Sequence, residues 1–304
     1  MTQNRAPFWI LAGEQLERRW GKVLDWDMRH SRLVLKRLEQ QNRSSTLPVT
    51  EPSGPIVSLT TYSKRIHTVY FAIESIAAGR KRASRLILWL DDEQLLSNLP
   101  DSVKRLQDRG LEVRQSANYG PHTKYYPYLL STSAFHSPLV TADDDTIYPS
   151  DWLEGLQQAC AAHPEVIACY RAHEMRFSAD GFRPYAAWGR CRSNLPSFHH
   201  FLTGVSGCIY PPHFVEKLKA AGTGFQTVCP KADDVWLHAC ALRFGFKIRQ
   251  IQPWQRTFPL TPETQDIGLA VTNVHASQND AQISATYTKQ EVAFLQSVAN
   301  RIAG

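Results

Sequence analysis

The chain has 304 residues, of which 43% are hydrophobic and 20% are charged, a composition typical of a globular protein with a sizeable core. Its 34 lysines and arginines against 28 acidic residues give a formal net charge of +6, which favours phosphorylated small molecules or an anionic membrane surface as partners. Nucleic acid is not favoured, because no dense basic run with interleaved aromatic residues is present.

The cysteine and histidine patterns leave these residues without an assigned site. The six cysteines form no CxxC pair and no short spacing of the metal-binding type, and the pair His199-His200 has no partner at a matching spacing. We expect reduced, mostly buried thiols, as in a cytosolic protein.

No signal peptide or membrane span is evident. The apolar run at 8–13 is short and charged residues follow it at once, and no stretch approaches 18 apolar residues. The expected location is the cytoplasm, with peripheral attachment to the inner face of the cytoplasmic membrane as the alternative.

The N-terminal segment predicts a helical arm. Residues 8–41 alternate apolar and charged side chains at helical spacing, and residues 41–55 are polar and rich in proline, which is typical of a linker. We therefore divide the chain into an arm with its linker, 1–50, and a domain, 51–304. The arm is expected to pack on its own domain or on a second subunit, with docking on an anionic membrane as the alternative.

Beyond the linker, strands and helices alternate. The predicted strands are 56–60, 86–90, 111–114 and 139–142, and the predicted helices are 69–78, 92–109 and 124–135. This order indicates an α/β fold with a mostly parallel sheet covered by helices on both faces. Beyond residue 149 we predict helices at 151–162, from about 230 to 243 and at 290–302, and strands at 166–170 and 246–251.

Three consecutive aspartates, Asp143, Asp144 and Asp145, follow the strand at 139–142. Ligands of parallel α/β sheets bind at the carboxyl ends of strands, and adjacent carboxylates repel one another unless a cation compensates. If the strand continued, Asp143 and Asp145 would face one side and Asp144 the other. The motif predicts a site for Mg²⁺ or Mn²⁺; an acidic helix cap or turn is the alternative.

A second acidic pair, Asp233-Asp234, opens a predicted helix within KADDVWL. The helix dipole favours acidic residues in the first turn, so the pair needs no catalytic role. Its position downstream of the three aspartates makes it a candidate for the site.

Further candidates are single residues or short loops. Gly204, Ser206 and Gly207 precede an apolar segment and could let the backbone approach a sugar or phosphate closely, with a bulge or turn as the alternative. Lys124 precedes a helix and could neutralise a phosphate or lie in solvent. His275 follows a predicted strand, either as a metal ligand or as an ordinary hydrogen-bonded histidine.

The motifs occur in an order that resembles bacterial glycosyltransferases of the GT-A fold. Residues 56–62 with Arg65 are followed by LILWLDDE, GPHTKYYPYL, TADDDTIYP and KADDVWL. The chain is similar over residues 55–279 to the enzymes of polysaccharide and lipopolysaccharide synthesis related to the large inverting family 2. The resemblance implies a Rossmann-like nucleotide-sugar-binding half, 51–149, and an acceptor half, 150–304.

The resemblance also implies the donor site. A nucleotide-sugar, with a UDP-sugar as the expected donor, would bind in a pocket lined by Thr60, Tyr62 and Arg65. Asp91 or Asp92 would lie near the base.

The same resemblance implies the metal and the base. Asp143, Asp144 and Asp145 would bind the ribose and the diphosphate with its Mn²⁺ or Mg²⁺, Asp145 most directly, and His275 would match a metal-binding histidine of some members. Asp234, or else Asp233, would be the general base; many relatives have Glu-Asp at these two positions, which leaves the identity of the base open.

The expected reaction is an inverting transfer to a hydroxyl of a glycan or lipid-linked acceptor in bacterial surface polysaccharide synthesis. A retaining enzyme of the same fold and a carbohydrate- or Ca²⁺-binding module without turnover are the alternatives. A nucleotidyltransferase would need a glycine-rich phosphate loop, and residues 59–65 contain no glycine.

Overall fold

The computed structural model describes residues 28–262 and 278–303. Its strands are β1 (Ile56–Thr60), β2 (Arg85–Leu90), β3 (Leu111–Gln115), β4 (Leu139–Thr141), β5 (Val166–Cys169), β6 (Ala172–Glu174), β7 (Phe177–Ser178), β8 (Gly181–Phe182), β9 (Gly189–Arg190), β10 (His200–Leu202), β11 (Cys208–Tyr210) and β12 (Lys247–Gln250).

The α-helices of the described residues are α1 (Met28–Ser44), α2 (Val69–Ala77), α3 (Glu93–Ser97), α4 (Asp101–Gln107), α5 (Tyr126–Ser131), α6 (Trp152–Ala162), α7 (Pro212–Ala220), α8 (Phe225–Val228), α9 (Asp233–Phe244), α10 (Gln278–Thr286) and α11 (Lys289–Ala303). Short 3₁₀ helices cover Ser63–His67, Gly120–Lys124 and Tyr185–Ala187.

Seven strands form the central sheet in the order β12-β5-β11-β4-β1-β2-β3. Strand β11 is antiparallel to its neighbours β4 and β5, and the other neighbouring pairs are parallel. The predicted fold class, α/β with a mostly parallel sheet flanked by helices, is confirmed. The carboxyl ends of β1, β2 and β4 lie at one edge, so the chain segments that follow them meet there.

The alternation of side chains along the strands produces one core on each face of the sheet. On one face Val57 and Leu59 pack with α2, α4 and α6. On the other face Ile56 packs with α5, α7 and α9. Because both faces are covered, β1 and β2 are buried along almost their whole length.

Helix α1 packs on its own domain through a buried carboxylate. Glu74 on α2 is fully buried, and Arg109 Nη1 donates to it at 2.5 Å. From α1, Gln41 Nε2 and Asn42 Nδ2 donate to the same carboxylate at 2.7 and 3.1 Å. The predicted linker also contributes, since Val49 is buried. For residues 28–44, packing on the same domain is therefore the observed arrangement; residues 1–27 lie outside the described residues.

Two predicted elements differ from the structure. The single helix expected at 92–109 is two helices, α3 and α4, which are separated at Pro100; proline lacks an N–H and disfavours helical geometry in the residue before it. The helix expected at 124–135 is a 3₁₀ turn, Gly120–Lys124, followed by α5. Among the described residues, no helix combines the length and apolar character needed to cross a membrane.

Candidate active site

The three aspartates lie in a turn and do not continue a strand. Strand β4 ends at Thr141, and Asp144 and Asp145 occupy a turn. The backbone N–H of Asp143 donates to the Tyr148 hydroxyl at 2.7 Å. The condition for the expected alternation, a strand that continues through the aspartates, is therefore not met. Asp144 and Asp145 pair with Arg65, and Asp143 pairs with Lys124.

Asp144 is held by the segment that follows β1. Thr61 Oγ1 donates to its Oδ2 at 2.6 Å, and Arg65 Nη1 donates to its Oδ1 at 2.7 Å. Burial raises the pKa of Asp144, whereas the hydrogen bonds and charge of Arg65 and the Thr61 hydroxyl oppose that increase. Because both carboxylate oxygens are already bonded, Asp144 is suited to fixing Arg65 in position.

Asp145 has the weaker ion pair and the greater exposure of the two. Its Oδ2 lies 3.2 Å from Arg65 Nη1, and its side chain is 14% exposed against 7% for Asp144. Burial, followed by the charges of Asp143 and Asp144, raises the pKa of Asp145 to about 6. A bound cation would offset this burial and repulsion and favour the ionised carboxylate.

Lys124 joins the aspartate turn to helix α9. Its Nζ donates to Asp143 Oδ1 at 2.5 Å and lies 4.0 Å from Asp233 Oδ2. Burial opposes the charge of Lys124, but Asp143 and Asp233 outweigh that effect and raise its pKa well above the ordinary value. Lys124 is therefore charged. Its side chain is largely buried, unlike the solvent-exposed lysine that was the alternative.

The 3₁₀ turn that carries Lys124 is fixed to the segment before α9. The ring of His122 contacts the Tyr125 hydroxyl through Nδ1 and the Cys229 carbonyl oxygen through Nε2, each at 2.8 Å. The ring also stacks on Phe225 with centroids 4.0 Å apart. These contacts set the distance between Lys124 and the acidic pair at the start of α9.

Asp234 binds the glycine loop. Its Oδ1 accepts the backbone N–H of Gly204 at 2.7 Å, and a Cβ at Gly204 would lie 3.0 Å from the same oxygen and 3.8 Å from Lys124 Nζ. Burial and then the charge of Asp233 raise the pKa of Asp234 to about 8. A carboxyl group with this pKa can accept or donate a proton near neutral pH.

Residues 204–207 form a tight turn in which the backbone conformation requires small residues. The Gly207 N–H donates to the Gly204 carbonyl oxygen at 2.9 Å, and Ser206 and Gly207 have φ values of 76° and 97°. A Cβ at Gly207 would lie 2.8 Å from the Trp152 ring, and Trp152 Nε1 donates to the Ser206 carbonyl oxygen at 2.8 Å. The indole of Trp152 thus fixes the loop that binds Asp234.

Among the described residues, the site has more carboxylates than cations. Five carboxylates face the two cations Arg65 and Lys124; they belong to Asp143, Asp144, Asp145, Asp233 and Asp234. The donors are oxygen atoms at the carboxyl edge of the sheet, which is the chemistry that Mg²⁺ and Mn²⁺ prefer. The donor chemistry of these residues therefore suits a divalent cation.

The remaining predicted donor residues lie at the ends of β1 and β2. Thr60 Oγ1 donates to the Trp89 carbonyl oxygen at 3.0 Å. Tyr62 is 37% exposed as a residue, and Arg65 Cζ lies 5.4 Å from the centroid of its ring. Asp92 accepts the N–H groups of residues 94 and 95 as the N-cap of α3, and Asp91 is half-buried beside it. His275 lies outside the described residues.

Sequence reasoning missed Thr61, Tyr148 and His122, which hold the aspartates and Lys124 in position. Thr61 and Tyr148 lie inside the quoted motifs, within one to five residues of predicted site residues. Because they are so close in the chain to predicted site residues, the sequence could have indicated them. The contact of His122 with Cys229 spans 107 residues, and no local pattern encodes it.

No protein-family model and no curated protein matches this chain. Several solved structures are similar to it, including the three that follow. The mannosyltransferase PcManGT from Pyrobaculum calidifontis, in complex with GDP-Man and Mn²⁺, is 14% identical over 83% of this chain and 69% of its own, with a TM-score of 0.48. CMP:2-keto-3-deoxy-manno-octonic acid synthetase with CTP is 12% identical over 73% and 100%, with a TM-score of 0.41. S. aureus TarS, residues 1–349, is 13% identical over 64% and 57%, with a TM-score of 0.42. Likenesses of this size do not assign an activity to this chain.

Proposed function

We propose that this chain is a metal-dependent glycosyltransferase of the GT-A fold, which transfers a sugar from a nucleotide-sugar to a hydroxyl group of an acceptor. The observation that carries the proposal is the convergence of two acidic motifs, 90 residues apart in the chain, on Lys124 and the Gly204 backbone. A structural cap or turn needs no such convergence, and a site for an anionic donor with its cation does.

Asp145 and Asp143 are the proposed ligands of Mn²⁺ or Mg²⁺. Their side chains are 14% and 15% exposed, and both carry oxygen donors. When bound, the divalent cation neutralises the negative charge that grows on the departing nucleoside diphosphate. Asp144 acts by positioning Arg65, whose guanidinium would stabilise the negative charge of the same diphosphate.

The donor is proposed to bind along the ends of β1 and β2. Tyr62 presents a partly exposed ring next to Thr60, and Asp91 or Asp92 lies toward the base. Lys124 is proposed to contact a phosphate or the sugar. The choice of a UDP-sugar follows from the family resemblance.

Asp234 is the proposed general base. It removes the proton of the acceptor hydroxyl while the acceptor oxygen bonds to the anomeric carbon and the bond from that carbon to the diphosphate oxygen breaks. A base is most effective when its pKa lies near the working pH, and Asp234 has a pKa raised to about 8. Attack opposite the leaving group inverts the anomeric centre.

The acceptor is proposed to be a glycan or a lipid-linked glycan of a bacterial surface polysaccharide, bound by residues 150–304 and the loop at Gly204, Ser206 and Gly207. Residues 51–149 would bind the donor. Residues 1–50 would pack, self-associate or attach the enzyme to the inner face of the cytoplasmic membrane.

A calorimetric screen of UDP-, GDP- and CMP-sugars tests this proposal. Binding of one donor class with Mn²⁺, lost with EDTA, is the expected result. An NMR spectrum of the transferred product gives the anomeric configuration, and inversion is expected. Retention would exclude Asp234 as the base of a single displacement, and binding of free sugars without any nucleotide-sugar would indicate a carbohydrate-binding module.

A further inference from the structure

A second cluster of metal-ligating groups lies on the three-stranded sheet β10-β6-β9. Glu174 is on β6, Cys191 follows β9 directly, and His200 begins β10. One ligand atom from each residue lies within 4.8 Å of the other two. Glu174 and His200 are paired across the sheet in direct register, which brings cross-strand side chains together on one face.

His200 has an unused ligand atom in this cluster. The residue is 2% exposed, and in the described part of the chain no hydrogen-bond partner faces its buried Nδ1. The ring also hydrogen-bonds the Ile248 carbonyl, a bond that therefore belongs to Nε2. Metal-binding histidines show this arrangement, in which one ring nitrogen donates to a carbonyl and the other is free to bind the ion.

The other two groups complete a donor set of sulfur, nitrogen and oxygen. Cys191 is 1% exposed, and its Sγ makes only a weak hydrogen bond of 3.2 Å to the Ser193 carbonyl. Glu174 Oε1 accepts the Arg192 N–H at 3.3 Å, which, within the part of the chain that the structure describes, leaves Oε2 for a ligand. Thiolate, imidazole and carboxylate are the ligands of Zn²⁺, whereas Mg²⁺ and Mn²⁺ prefer oxygen.

We propose that Glu174, Cys191 and His200 bind a zinc ion, with water as the fourth ligand. Tetrahedral zinc with bonds of about 2.0–2.3 Å places its ligand atoms about 3.3–3.8 Å apart, so side-chain movements of about 1 Å close the site. On binding, the Cys191 thiol releases its proton to solvent and the thiolate coordinates the ion.

The site would join the three strands of a sheet that has few residues per strand. Strand β10 continues directly into Thr203 and Gly204, whose backbone binds Asp234. A metal at this position would therefore stabilise the platform of the glycine loop. The proposal does not depend on the glycosyltransferase assignment, because none of its three ligands belongs to the carboxylate site.

Cobalt titration of the full-length, untagged, metal-free protein tests the site. Co²⁺ bound by a thiolate produces a charge-transfer absorption in the near ultraviolet, which an all-oxygen site does not. One equivalent should produce this band, and one equivalent of Zn²⁺ should remove it, whereas excess Mg²⁺ should leave it. Absence of the band in the unmodified chain would overturn the proposal.

Variants assign the ligands. Cys191→Ser should lose the band, whereas Cys160→Ser, which changes another buried thiol, should retain it, as should Asp145→Asn in the carboxylate site. Glu174→Gln and His200→Gln should weaken Co²⁺ binding by at least about tenfold, since even the loss of an outer-shell partner costs about 10–100-fold. If Cys191→Ser does not fold, these two variants decide. Undiminished affinity in both, or a band that persists in Cys191→Ser, would overturn the assignment.

Discussion

Replacing Asp234 with asparagine removes the proposed base and leaves its shape unchanged. The amide oxygen can still accept the Gly204 N–H that Asp234 Oδ1 accepts at 2.7 Å, so the glycine loop is retained. The substitution also removes a buried acid whose ionisation Asp233 disfavours. We therefore expect a folded protein with nearly unchanged stability and donor affinity.

The expected kinetic effect has two parts. General bases contribute about 10²–10⁴-fold, so turnover should fall by at least about 100-fold, or about 2.7 kcal/mol of activation free energy. A base with a pKa of about 8 is about a tenth ionised at pH 7 and half ionised at pH 8, so kcat/KM should rise about fivefold over that interval. A bound cation moves this rise to lower pH, because it offsets the neighbouring carboxylates.

The assay combines steady-state kinetics between pH 5 and 9 with calorimetry of the donor. Asp234→Asn should lose the rise of kcat/KM with pH. Asp233→Asn, its matched control, should keep a rise and lose less activity, and the rise should move to lower pH because the charge of Asp233 raises the pKa of Asp234. If Asp233→Asn were the more damaging change, the base would be Asp233. If both variants were mild, the pair would have no role in proton transfer and a retaining mechanism would be favoured.

Three further predictions concern the metal, the arm and the glycine loop. Asp145 must be ionised to bind a cation, and its pKa is about 6. The affinity for Mn²⁺, measured by EPR, should therefore fall by up to about tenfold per pH unit below pH 6. A pH-independent affinity would exclude Asp145 as a ligand. Deletion of residues 1–47 removes the hydrogen bonds of Gln41 and Asn42 to buried Glu74. Chemical denaturation should therefore show lower stability, whereas calorimetry should show that donor binding is retained. A folded protein without donor binding would contradict this. Gly207→Ala should lower the free energy of unfolding by about 1–3 kcal/mol more than Gly222→Ala does. Both glycines have positive φ, but of the two only Gly207 faces Trp152, at 2.8 Å. Equal decreases in chemical denaturation would show that the Trp152 ring moves aside without cost.

The sheet could be predicted from the sequence because its strands are local apolar runs. The bounds of β1 were predicted correctly, and β2 begins one residue before its predicted start. The strands β6–β10, of two or three residues each, are too short for a hydrophobic period to be recognised. The predicted helix at 92–109 is interrupted at Pro100, which separates α3 from α4.

The site could be predicted only in part, because its side chains are paired across long distances in the chain. The three aspartates and the pair at 233–234 are visible as motifs, and their function as ligands and base remains a prediction. Lys124 contacts Asp143 across 19 residues and Gly204 contacts Asp234 across 30, and no periodicity encodes such pairs. The cluster of Glu174, Cys191 and His200 was invisible for the same reason, since strand pairing alone brings these residues together.

The most direct test of the central claim is the release of nucleoside diphosphate from the preferred nucleotide-sugar, measured with Mn²⁺ and with EDTA. The wild-type chain and Asp108→Asn, an exposed change directly after the end of α4, should release it at equal rates with Mn²⁺ and stop with EDTA. Asp145→Asn should be inactive under both conditions while keeping its thermal stability. Release that continues undiminished in EDTA, or in Asp145→Asn, would contradict a metal-dependent transferase site at these carboxylates.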